Sequence, residues 1–162
     1  EVVYEDSKVR ENYESGFLLF VSRNNEIFLG SMSSKQIFKL NQNVLEHFAG
    51  GTDYTRTEDN IPGKDAYLSL LNLTLGPDHN FYFSDDEGFF APGTYTWVST
   101  GQRIRKIDSN GNVTTIAGIK KPEGNGNEVI IADSGLAKES FLAGISGFGF
   151  GLDESIYFGG HI

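Results

Sequence analysis

The chain contains no cysteine and only four prolines among its 162 residues. The lack of cysteine excludes disulfide bonds, thiolate metal sites and cysteine nucleophiles, and it leaves the redox compartment open. No apolar run approaches the ~20 residues that a membrane-spanning helix needs, so direct membrane insertion is not expected. Residues 1–16 are too acidic and polar for a signal peptide, so we interpret them as a polar segment or linker of a chain that is not exported or has lost its leader.

Positive charge is also scarce. The chain has 13 Lys and Arg against 22 Asp and Glu, which gives a net charge of −9 at pH 7. Nucleic-acid binders need a basic surface that displaces counterions from phosphates, and only residues 103–106 and 120–121 supply local positive charge. A nucleic-acid partner is therefore not expected, and the lack of a polybasic run argues equally against docking on an anionic membrane.

What is present favours an all-β fold. Hydrophobic residues make up 38% of the chain and aromatic residues 13%, which argues against disorder. There are 20 glycines, and few stretches are free of Gly, Asn, Asp or Ser. This composition predicts short strands separated by turns rather than long helices.

One kind of hairpin is predicted three times. The passage LTLGPDHNFYFSDD from Leu73 has a counterpart in FGFGLDESIYFGG from Phe148, with Asp78 matching Asp153. A weaker third copy is LFVSRNNEIFLGS from Leu19. Each copy has alternating apolar residues, a tight polar turn and a second apolar run, which predicts two adjacent antiparallel strands.

A second kind of hairpin is predicted twice. QIFKLNQNVLEHFAGG from Gln36 aligns with RIRKIDSNGNVTTIAG from Arg103, and both passages end in Ala-Gly. Small residues there let the chain pass closely from the outer strand of one sheet to the inner strand of the next. The two kinds alternate along the chain, giving four-stranded meanders over 17–51 and 71–118 and a single hairpin over 147–162. Ile116 and Phe150 are expected to be buried in these sheets.

This arrangement resembles the NHL-repeat family of β-propellers, which includes teneurin-type and Rhs-type proteins. The matching positions are 104–108, 113–118, Leu142, Asp153 and 156–158, whereas Pro77 and Leu152 replace the valine that the family has before aspartate. The resemblance implies that residues 17–162 form β-propeller blades of four antiparallel strands: blade 1 over 17–51, blade 2 over 71–118 and half of blade 3 over 147–162.

About two and a half NHL-like repeats make an incomplete ring, because a closed propeller has about four to eight blades. The remaining blades are expected to come from other repeats of the same polypeptide or from neighbouring subunits.

Two long loops are the candidate contact sites. The aromatic insertion 87–102 sits between two strands of blade 2, where blade 1 has a much shorter connection, and the polar loop 51–64 carries Tyr54. Loops on a rigid scaffold commonly carry function, and aromatic side chains are favoured interface anchors. The predicted contacts with a protein or glycan partner are Phe89, Phe90, Tyr95, Trp97 and Tyr54.

Metal and cofactor chemistry is not expected. Some propellers of the NHL-repeat family are lyases that hold a metal on channel-facing histidines. Here His47, His79 and His161 fall at non-equivalent repeat positions, which argues against a three-histidine metal site. The acidic residues 85–87 and the turn 108–110 invite a calcium interpretation, yet the spacing of an EF-hand loop is absent. We interpret them as solvated turn carboxylates.

The resemblance implies a non-catalytic binding or scaffold module of a secreted or cell-surface protein. The sequons at Asn72 and Asn112 permit N-glycosylation in such a location. The alternative is an NHL-type propeller enzyme, a lyase or hydrolase with a metal in the central channel. Mainly apolar or glycine residues in the predicted inner strands, 19–22, 73–76 and 148–151, disfavour channel chemistry.

Overall fold

The computed structural model describes residues 17–22, 24–94, 96–108, 110–119, 135–142 and 144–160. It confirms the all-β class, with antiparallel sheets and one 3-10 turn at Ala137–Glu139. The strands in the described residues are β1 (Phe17–Val21), β2 (Ile27–Ser31), β3 (Gln36–Asn41), β4 (Val44–Ala49), β5 (Ile61–Pro62), β6 (Leu70–Leu75), β7 (Phe81–Phe90), β8 (Trp97–Ile107), β9 (Asn112–Ala117), β10 (Ile145–Phe150) and β11 (Ile156–Gly160).

The strands form three sheets. The first sheet has the order β1-β2-β3-β4, the second β5-β9-β8-β7-β6, and the third is the pair β10-β11. The second sheet therefore has a fifth strand that the sequence did not predict. This strand, β5, lies within the predicted loop 51–64 and pairs with β9 through Ile61 and Pro62.

The turns of the three hairpins β1–β2, β6–β7 and β10–β11 share one backbone geometry. The same turn position is left-handed in each, with φ of 59°, 63° and 64° at Asn25, His79 and Glu154. The first turn residue of each hairpin donates its backbone N–H to a carbonyl four residues later: Ser22 to Glu26 (2.9 Å), Gly76 to Asn80 (2.8 Å) and Gly151 to Ser155 (2.9 Å). The repeat predicted from the sequence is thus present in the backbone.

The Ala-Gly steps are also equivalent in structure. Gly50 and Gly118 are left-handed, with φ of 103° and 96°. A Cβ at Gly50 would lie 2.2 Å from the Lys35 carbonyl oxygen, and one at Gly118 would lie 2.4 Å from that of Gln102. Only glycine fits a backbone approach this close, which explains the repeat of this residue at the end of β4 and β9.

The second sheet lies between the other two. Its inner strand β6 contacts both β1 and β10. On one side, the Phe81 ring packs against three rings of the first sheet, with centroid distances of 5.6, 4.8 and 5.8 Å to Phe20, Phe28 and Phe48. On the other side, the Tyr82 ring packs edge-on against Phe150 at 4.8 Å. Because Phe81 and Tyr82 are consecutive in a strand, they serve opposite faces.

The expectation that Ile116 and Phe150 are buried was wrong, since both are half-buried. The buried positions of β9 are Val113, Thr115 and Ala117. Thr115 can occupy an inward position because its hydroxyl donates a hydrogen bond to Asp59 Oδ1 at 2.8 Å. The apolar character of Ile116 did not decide which face of the strand is buried.

Candidate functional site

The aromatic insertion forms an extension of the β7–β8 hairpin. The ladder continues past the Asp85–Arg103 pair as far as Phe90 and Trp97, and the Ala91 N–H donates to the Thr96 carbonyl at 2.9 Å across the turn. We call residues 86–100 the arm. The predicted contact residues Phe89, Phe90 and Trp97 all lie in its strands, and Tyr95 lies outside the described residues. The arm, which we predicted from the sequence to be a loop insertion, is therefore a two-stranded antiparallel ribbon.

The base of the arm is anchored to the segment that leads into the third sheet. The ladder shifts register between Glu87 and Gly88. Gly101 follows with a φ of 144°, and a Cβ there would lie 2.9 Å from the Ile119 carbonyl oxygen. The next residue, Gln102, donates its backbone N–H to Leu142 at 2.9 Å and accepts the Ile145 N–H on its side-chain oxygen at 2.5 Å. Hydrogen bonds and a close backbone approach thus hold the residues at which the arm begins.

A buried charge cluster lies at the same end of the second sheet. Asp85 and Arg105 are fully buried, and Arg103 is 8% exposed. Asp85 Oδ2 accepts hydrogen bonds from Arg103 Nη2 at 2.8 Å and from Arg105 Nη1 at 3.1 Å, while its Oδ1 accepts the Ser69 N–H at 2.9 Å. The interpretation of Asp85 as a solvated turn carboxylate was wrong. Both of its oxygens accept hydrogen bonds from arginine or backbone N–H donors inside the protein.

The two arginines also hold the segment that carries Tyr54. Arg103 Nη1 donates to the Thr57 carbonyl at 3.3 Å, and Arg105 Nη2 donates to the Glu58 carbonyl at 2.9 Å and to Asp59 Oδ1 at 3.1 Å. Tyr54 lies three residues before Thr57 and is 57% exposed. We call residues 53–60 the Tyr54 segment. This segment and the arm both meet the Asp85–Arg103 pair, so the structure brings together two predicted contact features that are distant in sequence.

Acid should loosen this attachment through Asp59. Burial raises the pKa of the Asp59 carboxyl, but the hydrogen bond from Thr115 and the charge of Arg105 outweigh it and hold the pKa below its ordinary value. A carboxyl with a lowered folded pKa stabilises the fold above its unfolded pKa of about 3.9, and that contribution is lost as the pH falls through the folded pKa. We expect the free energy of unfolding to fall less between about pH 5 and pH 2 in Asp59→Asn than in the parent chain. Urea titrations at several pH values measure this, and parallel curves for the two proteins would contradict it.

The other candidate residues are dispersed. His47 Nε2 lies 3.1 and 3.0 Å from the carbonyl oxygens of Ala49 and Gly50, His79 occupies a hairpin turn, and His161 lies outside the described residues. Among the residues that the structure describes, no group of three or more His, Asp or Glu could hold a metal ion.

The same described residues include no helix with the length and apolar character to span a bilayer.

The two sequons lie on strands rather than on loop tips. Asn72 is half-buried in β6, and its side-chain amide donates to the Ser84 hydroxyl at 2.9 Å. Asn112 is half-buried at the start of β9, where its backbone N–H donates to the Asp108 carboxylate at 2.9 Å. A glycan on Asn72 would replace one of the two hydrogens of the amide nitrogen that donates to Ser84.

No family model matches this sequence, and the comparison with curated proteins found no match. Among solved structures, the chain is similar to a structural genomics protein of unknown function from Bacteroides thetaiotaomicron, with a TM-score of 0.55 and 20% sequence identity. The similarity covers 82% of this chain and 29% of that chain. The chain therefore spans less than a third of the structure that it matches, and the likeness concerns the fold alone.

Proposed function

We propose that the three sheets are successive blades of an NHL-type β-propeller and that this module is a non-catalytic binding or scaffold element of a surface or secreted protein. Its partner is a protein or a glycan, held by the arm and by the Tyr54 segment. The observation that carries the proposal is the arm itself, a ribbon that continues the β7–β8 ladder by five residue pairs beyond Asp85–Arg103.

The contacts between inner strands support the blade arrangement. In a propeller, each blade packs one sheet face on the preceding blade and the other on the following one. The second sheet has such a pair of neighbours, with Phe81 packed toward the first sheet and Tyr82 toward the third. The left-handed glycines Gly50 and Gly118 stand where the chain leaves an outer strand, as passage to a new blade requires.

The composition and anchoring of the arm support partner contact. Phe89, Phe90, Tyr95 and Trp97 place four aromatic residues within a segment that extends beyond the rest of its sheet. Aromatic residues supply large contact area at low entropic cost, and they dominate the energetics of protein interfaces. The bonds of Gln102 and the arginine cluster fix the base of the arm, which lowers the ordering cost of binding.

The test uses Trp97, which is the sole tryptophan of the chain, so its fluorescence reports directly on the arm. We would screen purified polysaccharides and a defined protein array, and titrate each hit against the parent chain. We expect at least one probe to change the Trp97 fluorescence and to bind about tenfold more weakly to Trp97→Ala by calorimetry, a loss typical of an aromatic anchor.

The matched control is a chain in which residues 88–100 are replaced by Asn-Gly, a two-residue turn that closes the ladder at the Glu87–Gly101 pair. This chain should fold, with an unchanged far-ultraviolet β signal, and should lose the probe. Tyr157→Ala, in β11 and outside both the arm and the Tyr54 segment, should retain it. Equal binding by the armless chain, or a complete screen without a hit, would overturn the proposed function.

A further inference from the structure

The part of β7 that belongs to the arm has an open backbone edge over residues 88–90, which we call the β7 edge. Before the arm, β7 pairs with β6, but that ladder ends at the Leu70–Asp85 pair. Within the part of the chain that the structure describes, residues 88–90 form strand pairs only with β8. On the β8 side the base of the arm is covered, because Gln102 bridges to Leu142. A further strand would therefore add to the arm at the β7 edge.

The backbone groups of the β7 edge point outward at two positions. The Ala91 N–H donates to the Thr96 carbonyl at 2.9 Å, so these two residues form a hydrogen-bonded pair. Hydrogen-bonded and non-hydrogen-bonded pairs alternate along an antiparallel ladder. Phe90 and Gly88 therefore form non-hydrogen-bonded pairs with β8, and their N–H and C=O groups point away from it. This row of donors and acceptors is what an additional strand would bind.

The arm lacks the features that usually protect an exposed edge. Edge strands of natural proteins are commonly blunted by lysines, prolines or bulges. The paired stretches 88–90 and 97–99 read GFF and WVS, with no charged residue and no proline. Pro92 lies in the turn, and the register shift lies at the base of the arm, before residue 88. An apolar edge without such protection is a template for pairing with an extended segment of another chain.

The charge around the base of the arm selects the kind of segment. Residues 53–60 and 85–105 together contain six acidic residues and three arginines, a net charge of −3. Each of these arginines forms an ion pair within the protein, and two of them are buried. Asp86 and Glu87 directly precede the β7 edge in the same strand. The excess negative charge there repels an acidic segment and attracts one that carries Lys or Arg.

We propose that the β7 edge binds an extended segment of a partner protein, which adds as a strand antiparallel to β7 and places Lys or Arg beside Asp86 and Glu87. Opposite charges on neighbouring strands stabilise their pairing. The inference rests on the proposed function and deepens it, because it selects a polypeptide rather than a glycan as the partner. Only a polypeptide carries a row of backbone donors and acceptors that matches the β7 edge.

The experiment titrates the parent chain with the blocked peptide acetyl-Thr-Val-Thr-Val-Lys-Lys-amide, followed by Trp97 fluorescence and calorimetry. In the antiparallel register the two valines lie opposite Phe90 and Gly88, and the lysines lie beside Asp86 and Glu87. We expect this peptide to bind about tenfold more tightly than the matched peptide that has Glu-Glu in place of Lys-Lys.

Two N-methylated forms of the lysine peptide test the backbone pairing. A methyl group on the nitrogen of the second valine removes the N–H that faces Gly88, and it should weaken binding about tenfold. A methyl group on the nitrogen of the second threonine is the matched control. The N–H of this threonine points away from the arm, so its methylation should leave the affinity unchanged.

The charge of the arm is tested by combining Asp86→Asn with Glu87→Gln. The asparagine keeps a side-chain oxygen that can accept the Ser99 hydroxyl, as Asp86 does. This variant should lose the preference for the lysine peptide over the glutamate peptide. The control combines Glu46→Gln with Glu154→Gln, which removes the same charge from two exposed residues outside the arm and the Tyr54 segment and should keep the preference.

The inference and the proposed function fail on different results. No binding of the lysine peptide, equal affinity for the lysine and glutamate peptides, or equal effects of the two methyl groups would overturn the inference. Binding of the lysine peptide by the chain in which Asn-Gly replaces residues 88–100 would also overturn it. If a polysaccharide were the only probe whose binding depends on Trp97, the inference would be wrong and the proposed function would stand.

Discussion

Replacing Phe81 by alanine is expected to lower the free energy of unfolding by about 3 to 5 kcal/mol, the usual cost of a phenylalanine-sized cavity. Phe81 is 2% exposed, and its ring contacts three phenylalanines from three different strands of the first sheet. Because these strands belong to another sheet, no single one can move to fill the cavity without losing its own pairing. The loss should therefore fall near the upper end of this range.

Urea unfolding followed by circular dichroism measures this loss, with Phe158→Ala as the control. Phe158 is an aromatic residue of the equivalent strand β11, but it is 48% exposed, so its replacement should cost less than about 1 kcal/mol. Phe81→Leu keeps most of the volume and should cost less than Phe81→Ala. If Phe81→Ala and Phe158→Ala had equal effects, the packing of the first sheet on the second would be wrong.

The hairpins were predictable because their signals are local. Alternating apolar residues around a turn of Gly, Asn and Asp need only adjacent residues to form, and both hairpin kinds lie where the sequence placed them. The extension of β7 and β8 was less evident, although the signals exist. Trp97, Val98 and Thr100 favour strands, and Pro92-Gly93 is a turn pair.

The pairing of β5 with β9 could not be predicted from the sequence. Ile61–Pro62 is two residues long and contains a proline, which removes a backbone donor and weakens any strand prediction. Its partner Val113 is 52 positions away from Ile61, and the residues around Ile61 contain no pattern that predicts such a long-range pairing. Gly63 and Asn60 complete it through backbone hydrogen bonds to Gly111 and Val113, at 2.6 and 2.7 Å.

The charge cluster was misread for a similar reason. Arg103 and Arg105 are two apart in a strand and so share a face, but their burial depends on the pairing of β8 with β7. That register places Asp85 opposite Arg103. Asp85, which we had interpreted as a solvated carboxylate, is therefore the buried counter-ion of the arginine. An alternating Arg-x-Arg in a strand that pairs with an Asp-containing strand is the sequence signal that could have identified it.

Removal of the Asp85 charge is expected to be as damaging as the Phe81 cavity. Asp85→Ala would leave Arg103 and Arg105 buried without their shared carboxylate, and loss of one partner of a buried pair costs about 3 to 5 kcal/mol. Lys35 adds to the excess positive charge. Its ammonium donates to the Leu70 carbonyl at 3.0 Å, and burial lowers the pKa of Lys35 while the Asp85 charge opposes that change.

The consequence should reach the candidate site, because the same arginines hold the Thr57 and Glu58 carbonyls. We expect Asp85→Ala to increase hydrogen exchange in residues 53–60 as well as to lower the unfolding free energy in urea. Glu58→Gln, which removes only the exposed pair with Arg56, should leave the urea midpoint unchanged. Arg105→Met in the Asp85→Ala background should restore part of the stability, since it removes one of the two buried positive charges that Asp85 balanced. The restoration should be only partial, because the same change removes the pair between Arg105 and Asp59. If Arg105→Met deepened the loss by its full single-variant cost, Asp85 and Arg105 would be energetically independent, which would contradict the proposed role of their buried ion pair.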